Sequence, residues 1–287
     1  MAVPPAPHTY ILTLSCPDAL GIVAAVSGFL AERQCNIVNS AQFDDRDTGL
    51  FFMRVEFTTG GQTCGQISEA FQGIGARFRM HWRLFDTAVK PRVLIMVSKY
   101  GHCLNDLLYR HRIEALRMDV RAIVSNHRDF YQLAASQDIP FHHMPVTPDS
   151  KARQEQKLLD LIEEEAVELV ILARYMQVLS NELCGKLEER AINIHHSFLP
   201  SFKGAKPYQQ AHARGVKLIG ATAHFVTADL DEGPIIDQDV TKVDHAMTPD
   251  DFVKVGRDVE SQVLARAVES YLERRVLLNG TKTVVFR

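Results

Sequence analysis

The sequence has no excess of positive charge, no unbroken apolar run that could cross a membrane, and no closely spaced pair of cysteines. Its 287 residues hold 32 Lys and Arg against 35 Asp and Glu, for a formal net charge of -3. Because nucleic acid is bound largely through Lys and Arg, this balance argues against a nucleic-acid partner. A membrane-spanning helix needs about 18 apolar residues in a row, and the start MAVPPAPHTY has neither the basic nor the apolar region of a signal peptide. We therefore expect a cytoplasmic protein with no membrane partner.

Cysteine usage and histidine spacing both argue against a structural metal. The cysteines are odd in number and widely spaced, which indicates reduced thiols rather than a zinc site. His142 and His143 are adjacent, so they would diverge on a strand, and no third ligand lies nearby in sequence. We interpret this pair as structural, and the sequence predicts no metal site.

The first part of the chain alternates apolar strands with amphipathic helices in the order βαββαβ. Residues 17–34 carry apolar side chains at helical spacing, and the segments around them are typical of strands. This order predicts a ferredoxin-like, four-stranded antiparallel sheet with two helices on one face. Pro91 cannot join a central strand, so we place the domain boundary in the polar stretch before it, giving domains 1–86 and 87–287.

The second domain has the pattern of an α/β protein with a Rossmann-like, mostly parallel sheet. Strongly apolar strands alternate with helical patterns from residue 92 to the segment AINIHH (191–196), which is typical of buried parallel strands. Two further strands, VKLIGATAHFV and IIDQDVTKV, are joined by the short turn DLDEGP. A connection this short requires antiparallel pairing, so we expect an antiparallel edge. A helix from Thr248 to about Arg275 and a hairpin at Asn279-Gly280 complete the prediction.

The segment AINIHH places an amide and an imidazole together at the end of a strand. Asn193 and His195 are two residues apart, so they share a face of the strand, whereas His196 would take the opposite face. Ligands bind at the carboxyl ends of strands in open α/β sheets. The turn containing Asp231 follows the neighbouring strand and can return to the same crevice. An amide, an imidazole and a carboxylate in one cleft suit acyl-group chemistry, and the absence of a GxSxG elbow argues against a covalent acyl-enzyme.

The amino-terminal domain resembles an ACT domain. The resemblance rests on SCPDALGIV, on CNIV after the first helix and on FFMRVEF beyond it. It implies a sensor of small molecules, often amino acids, that pairs its sheets across subunits and makes the protein a homo-oligomer. Gly21 would open the helix N-terminus to a ligand carboxylate, and Asn36 would face the same crevice, so both are candidate regulatory residues. The alternative is a dimerisation block with an empty site.

The carboxyl-terminal domain is similar to the folate-dependent formyltransferase-fold enzymes. NIHHSFLPSFKGAKPYQQA followed by GATAHFVTADLDEGPII carries the Asn-x-His and Leu-Asp-x-Gly-Pro pattern of that family. The resemblance implies that Asn193, His195 and Asp231 are catalytic, with Asn193 and His195 holding the developing oxyanion and Asp231 acting as base or as partner of His195. It also implies a folate pocket along residues 173–180 and the Asp231 turn, whose candidate substrate-binding residues are Arg174, Met176, Val178, Leu179 and Gly233.

The loop after the first strand of this domain bears on the choice between water and an amine as acceptor. Relatives that formylate glycinamide ribonucleotide hold its phosphate on a Gly/Ser-rich loop, whereas this chain reads SKYGHCLNDLL with the bulky Tyr100, His102 and Leu104. The resemblance therefore implies a hydrolase that converts 10-formyltetrahydrofolate to formate and tetrahydrofolate without a cofactor, in one-carbon metabolism and purine biosynthesis. His102 is a candidate pocket residue or an ordinary helix-start histidine. The alternatives are a formyltransferase acting on an amine and a catalytically silent amino-acid sensor.

Overall fold

The computed structural model describes residues 8–200 and 207–287, and the chain forms two compact units. One unit comprises the described part of Met1–Lys90 together with Glu273–Asn279 and Thr283–Arg287, and the other comprises the described part of Pro91–Leu272 with Gly280–Lys282. Within this part of the chain, no helix combines the length and the apolar character needed to cross a membrane. The predicted boundary between residues 86 and 87 stays a proposal.

The first unit is the predicted antiparallel sheet with two helices. Its strands lie in the order β2-β3-β1-β4, and its core is built from apolar side chains such as Leu14, Val26, Phe57 and Phe71. The fold prediction is therefore confirmed for this unit. Its elements are β1 (His8–Pro17), α1 (Ile22–Glu32), β2 (Asn36–Asp45), β3 (Leu50–Thr59), α2 (Cys64–Arg77) and β4 (His81–Asp86).

The candidate regulatory residues lie at the two ends of the turn-helix segment of this unit. Gly21 precedes α1 and makes no side-chain cap to the helix. Its φ of 91° lies in the left-handed region, which glycine adopts most easily. Asn36 is the first residue of β2, and both residues are exposed. A regulatory role for either residue stays a prediction.

The second unit contains a seven-stranded sheet in the order β11-β10-β9-β8-β5-β6-β7. The strands from β9 to β7 are parallel, and β10 and β11 are antiparallel, as the sequence predicts. The chain reverses its direction of travel across the sheet between β5 and β8, and open α/β sheets form a ligand crevice at the carboxyl ends of the strands at such a point. Its strands are β5 (Arg92–Val97), β6 (Asp119–Ser125), β7 (Phe141–His143), β8 (Leu169–Leu172), β9 (Ala191–His195), β10 (Leu218–Phe225) and β11 (Ile235–Lys242).

Helices of this unit bring further side chains towards the crevice. The longest, α8, begins at Pro249, and Thr248 and Asp251 exchange hydrogen bonds that cap it: the Thr248 N–H donates to the Asp251 carboxylate at 3.1 Å, and the Asp251 N–H donates to the Thr248 hydroxyl at 3.2 Å. The helix ends at Leu272, shortly before the predicted end. The helices are α3 (His102–Arg112), α4 (Tyr131–Ala135), α5 (Lys151–Glu164), α6 (Asn181–Lys186), α7 (Pro207–Ala213) and α8 (Pro249–Leu272).

The chain ends in the predicted hairpin around Asn279-Gly280. Strands β12 (Val276–Asn279) and β13 (Lys282–Val285) pair with each other. The Asn279 amide donates to the Asp45 carboxylate of the first unit, to which both residues belong. The carboxyl-terminal hairpin is thereby joined to the sheet of that unit.

Candidate active site

The end of strand β9 places Asn193 and His195 beside strand β10. In the antiparallel pairing of these strands, Asn193 lies opposite His224, and His195 lies opposite Thr222. Residues directly opposite each other on antiparallel strands present their side chains on the same face. The strand pairing therefore groups an amide and two imidazoles at one edge of the crevice.

The turn between β10 and β11 brings Asp231 to these histidines. Gly233 of this turn is packed so closely that a Cβ atom would overlap the carbonyl oxygen of Phe225 at the end of β10. Only glycine permits this approach. Asp231 itself has a positive φ of 58°, so the turn is sharply bent at the carboxylate. Gly233 thus fixes the turn against the strand, and its contact with a substrate stays a prediction.

Asp231 is paired with the buried His195. The distance from His195 Nδ1 to Asp231 Oδ1 is 3.2 Å, and the His195 residue is only 5% exposed. Burial raises the pKa of Asp231, but the hydrogen bond from His195 and the nearby His224 imidazole outweigh it and hold that pKa well below its usual value. A charged carboxylate can only accept, so the proton of the pair lies on His195 Nδ1. In the neutral imidazole, Nε2 then carries the lone pair, and this buried nitrogen has no hydrogen-bond partner among the described residues.

His224 is a site residue that sequence reasoning missed. Its Nδ1 lies 2.8 Å from the Phe225 carbonyl oxygen, which can only accept, so Nδ1 carries a proton. Its Nε2 lies 3.3 Å from Asn193 Nδ2, and a neutral His224 therefore accepts from the Asn193 amide. This contact fixes which way the amide is turned. The signal was present in the sequence, because a strand running antiparallel to AINIHH must place one residue of GATAHFV opposite Asn193.

A cavity of about 690 Å³ lies over these residues. The candidate substrate-binding residues His102, Arg174, Met176, Val178 and Leu179 all border it. Met176 and Val178 are 50% and 59% exposed, so they form an apolar lip that water reaches in the free protein. Such exposed apolar groups beside a concave site are typical of a surface that a ligand covers.

His196 borders the same cavity, although strand alternation predicts that it faces away. Strand β9 ends at His195, so the alternation stops before His196, and the two rings lie 5.1 Å apart between centroids. Burial, with a contribution from the charge of Arg174, lowers the pKa of His196 to about 3. A neutral imidazole therefore forms part of the cavity wall at neutral pH.

Among the residues that the structure describes, His102, Cys103 and Glu260 form a group of metal-ligand type. One possible ligand atom of each residue lies within 4.8 Å of those of the other two. The group does not suit a metal ion. Glu260 is already paired with His102 and Arg174, and burial raises the pKa of the Cys103 thiol, which disfavours the thiolate that a metal requires. The absence of a metal from the site stays a prediction.

Comparison with known proteins agrees with this geometry. Residues 91–268 match the formyl transferase family, and residues 10–62 match the ACT domain family. The crystal structure of glycinamide ribonucleotide transformylase 1 from Symbiobacterium toebii is similar over 71% of this chain and 98% of its own, with 28% identity and a TM-score of 0.65. The family match and the mostly parallel sheet thus define a formyltransferase-fold enzyme.

Relatives that match nearly all of this chain indicate a particular family within this class. A formyltetrahydrofolate deformylase from Corynebacterium sp. (strain P-1) is 50% identical over 282 residues, which is 97% of this chain and 98% of that protein. The crystal structure of a formyltetrahydrofolate deformylase from Burkholderia mallei is 57% identical with a TM-score of 0.95, covering 98% of this chain and 100% of that one. The chain belongs to the formyltetrahydrofolate deformylase family.

Proposed function

We propose that this protein hydrolyses 10-formyltetrahydrofolate to formate and tetrahydrofolate. The observation that carries the proposal is the buried His195, which borders the cavity and whose Nδ1 is held by Asp231 while Nε2 has no partner among the described residues. A histidine with one nitrogen fixed by a carboxylate and the other without a partner is arranged for proton transfer. The same cavity contains the Asn193 amide, which supplies a donor for a carbonyl oxygen.

The chemistry follows from these three side chains. Water attacks the formyl carbon and gives a proton to His195 Nε2. Asn193 uses the amide hydrogen that is not bonded to His224 to stabilise the negative oxygen that forms. The bond from the formyl carbon to N10 then breaks, and the protonated His195 returns its proton to N10. The products are formic acid, which ionises to formate, and tetrahydrofolate.

Asp231 acts in this proposal as the partner of His195 rather than as the base. Its pKa is held below the usual range, so its carboxylate is a weak acceptor for a proton from water. A negative charge 3.2 Å from His195 Nδ1 does favour the imidazolium that forms during the reaction. Of the two roles that the sequence left open, the electrostatics of the pair support the partner role.

The apolar lip of the cavity suits the flat pteridine of a folate. Met176 and Val178 border the cavity, and so does Leu230, which is 64% exposed on the Asp231 turn. A volume of about 690 Å³ lies within the roughly 300–1,000 Å³ of most small-molecule sites. We propose that these residues cover the ring system, with Arg174 and Leu179 completing the pocket.

The remaining parts of the proposal concern the setting of the enzyme. The formate and the tetrahydrofolate would supply purine biosynthesis and balance the one-carbon folates. An amino-acid effector at the ACT-like unit, a homo-oligomeric assembly, a cytoplasmic location and the absence of a cofactor stay predictions from the sequence.

The test of the proposed function is formate release from 10-formyltetrahydrofolate in the absence of any amine. We expect the wild-type protein to release one formate for each tetrahydrofolate formed. A formylated amine that appears only when an acceptor is supplied, with no formate in its absence, would identify a transferase. Binding of an amino acid with no turnover of the folate under either condition would identify a sensor.

Gly233→Ala is expected to lower formate release by roughly 10²-fold, because a misplacement of about 1 Å can have that effect. The new Cβ atom would overlap the Phe225 carbonyl oxygen, so the turn must shift and carry Asp231 away from His195. The matched control is Gly185→Ala in helix α6, where a Cβ atom meets nothing within 4 Å. Wild-type activity in Gly233→Ala would show that the turn does not position the carboxylate.

A further inference from the structure

A buried carboxylate, separate from Asp231, borders the cavity and has no part in the proposed chemistry. Glu260 of helix α8 is 1% exposed. Tyr208 donates its hydroxyl hydrogen to Glu260 Oε1 at 2.6 Å, and His102 Nε2 lies 2.7 Å from Oε2. Arg174 Nε lies 3.1 Å from the same Oε2. Burying a charged carboxylate costs solvation free energy, and hydrogen-bonding and charged partners of this kind compensate that cost. We call these four residues the Glu260 cluster.

The Glu260 cluster lies beside the reacting groups. The Tyr208 ring is 6.2 Å from the His196 ring, which in turn is 5.1 Å from the His195 ring. All four cluster residues border the same cavity as His195. Gly256, one turn before Glu260, leaves the space that the Tyr208 ring occupies, because a Cβ atom there would overlap the ring. The packing thus holds the cluster as one wall of the site.

Glu260 compensates the charge of Arg174 within this wall. Burial raises the pKa of Glu260, but the His102 hydrogen bond and the Arg174 charge outweigh it, so the carboxylate stays ionised at neutral pH. Without Glu260, the Arg174 guanidinium would present an uncompensated positive charge to the cavity. A guanidinium group is well suited to hold a phosphate or a carboxylate. With Glu260 in place, the Arg174 charge offers an anionic ligand no net attraction.

We propose that Glu260 is a specificity-determining residue that excludes anionic acceptors from the formyl group, so that water remains the nucleophile. The inference rests on the proposed hydrolysis and adds which acceptors the same site admits. An amine that enters would attack the formyl carbon, lose a proton through His195 to N10, and leave as the formamide when the bond to N10 breaks. An acceptor that also bears a carboxylate or phosphate would have to bury that charge in a cavity where Arg174 is already paired with Glu260, and burying an unpaired charge is strongly unfavourable.

The test uses two amines of similar reactivity that differ in charge, methoxyamine (neutral) and aminooxyacetate (anionic), each supplied with 10-formyltetrahydrofolate. Formate and the two N-formyl products are measured in the same reactions. In wild type we expect N-formyl methoxyamine to form at least ~10-fold faster than N-formyl aminooxyacetate, a difference of about 1.4 kcal/mol. In Glu260→Gln, which keeps the shape and exposes the Arg174 charge, we expect this preference to fall at least ~10-fold.

The ratio of two products does not depend on how much of the variant is folded, because both come from the same active molecules. Asp258→Asn removes a charge from an exposed position of the same helix and is expected to leave the preference unchanged. Equal use of both amines by wild type, an unchanged preference in Glu260→Gln, or no transfer to either amine in both proteins would overturn the proposal. Each of these results applies to a protein that releases formate. A wild-type protein that releases no formate would instead refute the proposed hydrolysis.

Discussion

Replacing Asp231 by Asn is expected to lower the rate of formate release by ~10³-fold or more, which corresponds to about 4 kcal/mol of activation free energy. The substitution keeps the size of the side chain and removes its charge. The new amide would either accept from His195 Nδ1 without stabilising the imidazolium, or turn its hydrogens towards Nδ1 and force the proton onto Nε2. In the second arrangement the nitrogen that faces the cavity can no longer accept a proton from water.

The matched control for this substitution is Glu232→Gln, which removes a carboxylate from the next, exposed position of the same turn. We expect the control to retain formate release within about 3-fold, since small changes in surface charge have small effects. Thermal unfolding of both variants shows whether the turn remains folded. An Asp231→Asn protein that folds and hydrolyses at the wild-type rate would contradict the role of this carboxylate.

The strands and helices could be predicted because each repeats a local pattern. Strands β5 and β8 are almost entirely apolar, which is typical of parallel strands covered on both faces. The alternation along β9 also placed Asn193 and His195 together at the carboxyl edge. These predictions needed only residues that are near one another in sequence.

The parts that were missed depend on contacts between distant segments. Glu260 lies on a helix with charged neighbours, where a carboxylate usually faces solvent, and only the packing of α3 and α7 against α8 shows that it is buried. His224 becomes a site residue only through its register opposite Asn193. The face of His196 was predicted from strand alternation, which does not continue once the strand has ended.

The dependence of Asp231 on His195 can be tested by combining two substitutions. His195→Gln removes the group that accepts the proton from water, and we expect a loss of roughly 10³-fold, within the usual range for a general base. If Asp231 acts through His195, adding Asp231→Asn to His195→Gln should lower formate release by no more than about 3-fold further, because groups that act as a unit are not additive. His245→Gln, at an exposed histidine, serves as the control.

The double variant separates the two roles that chemistry allows for Asp231. An independent base for water would retain its own contribution in His195→Gln, so its removal would multiply the two losses to roughly 10⁶-fold. Single-turnover measurements with saturating enzyme keep such slow reactions within reach and remove effects on substrate binding. Losses that multiply in this way would assign the proton of water to Asp231, and losses that coincide would assign it to His195, with the carboxylate acting through the 3.2 Å contact between them.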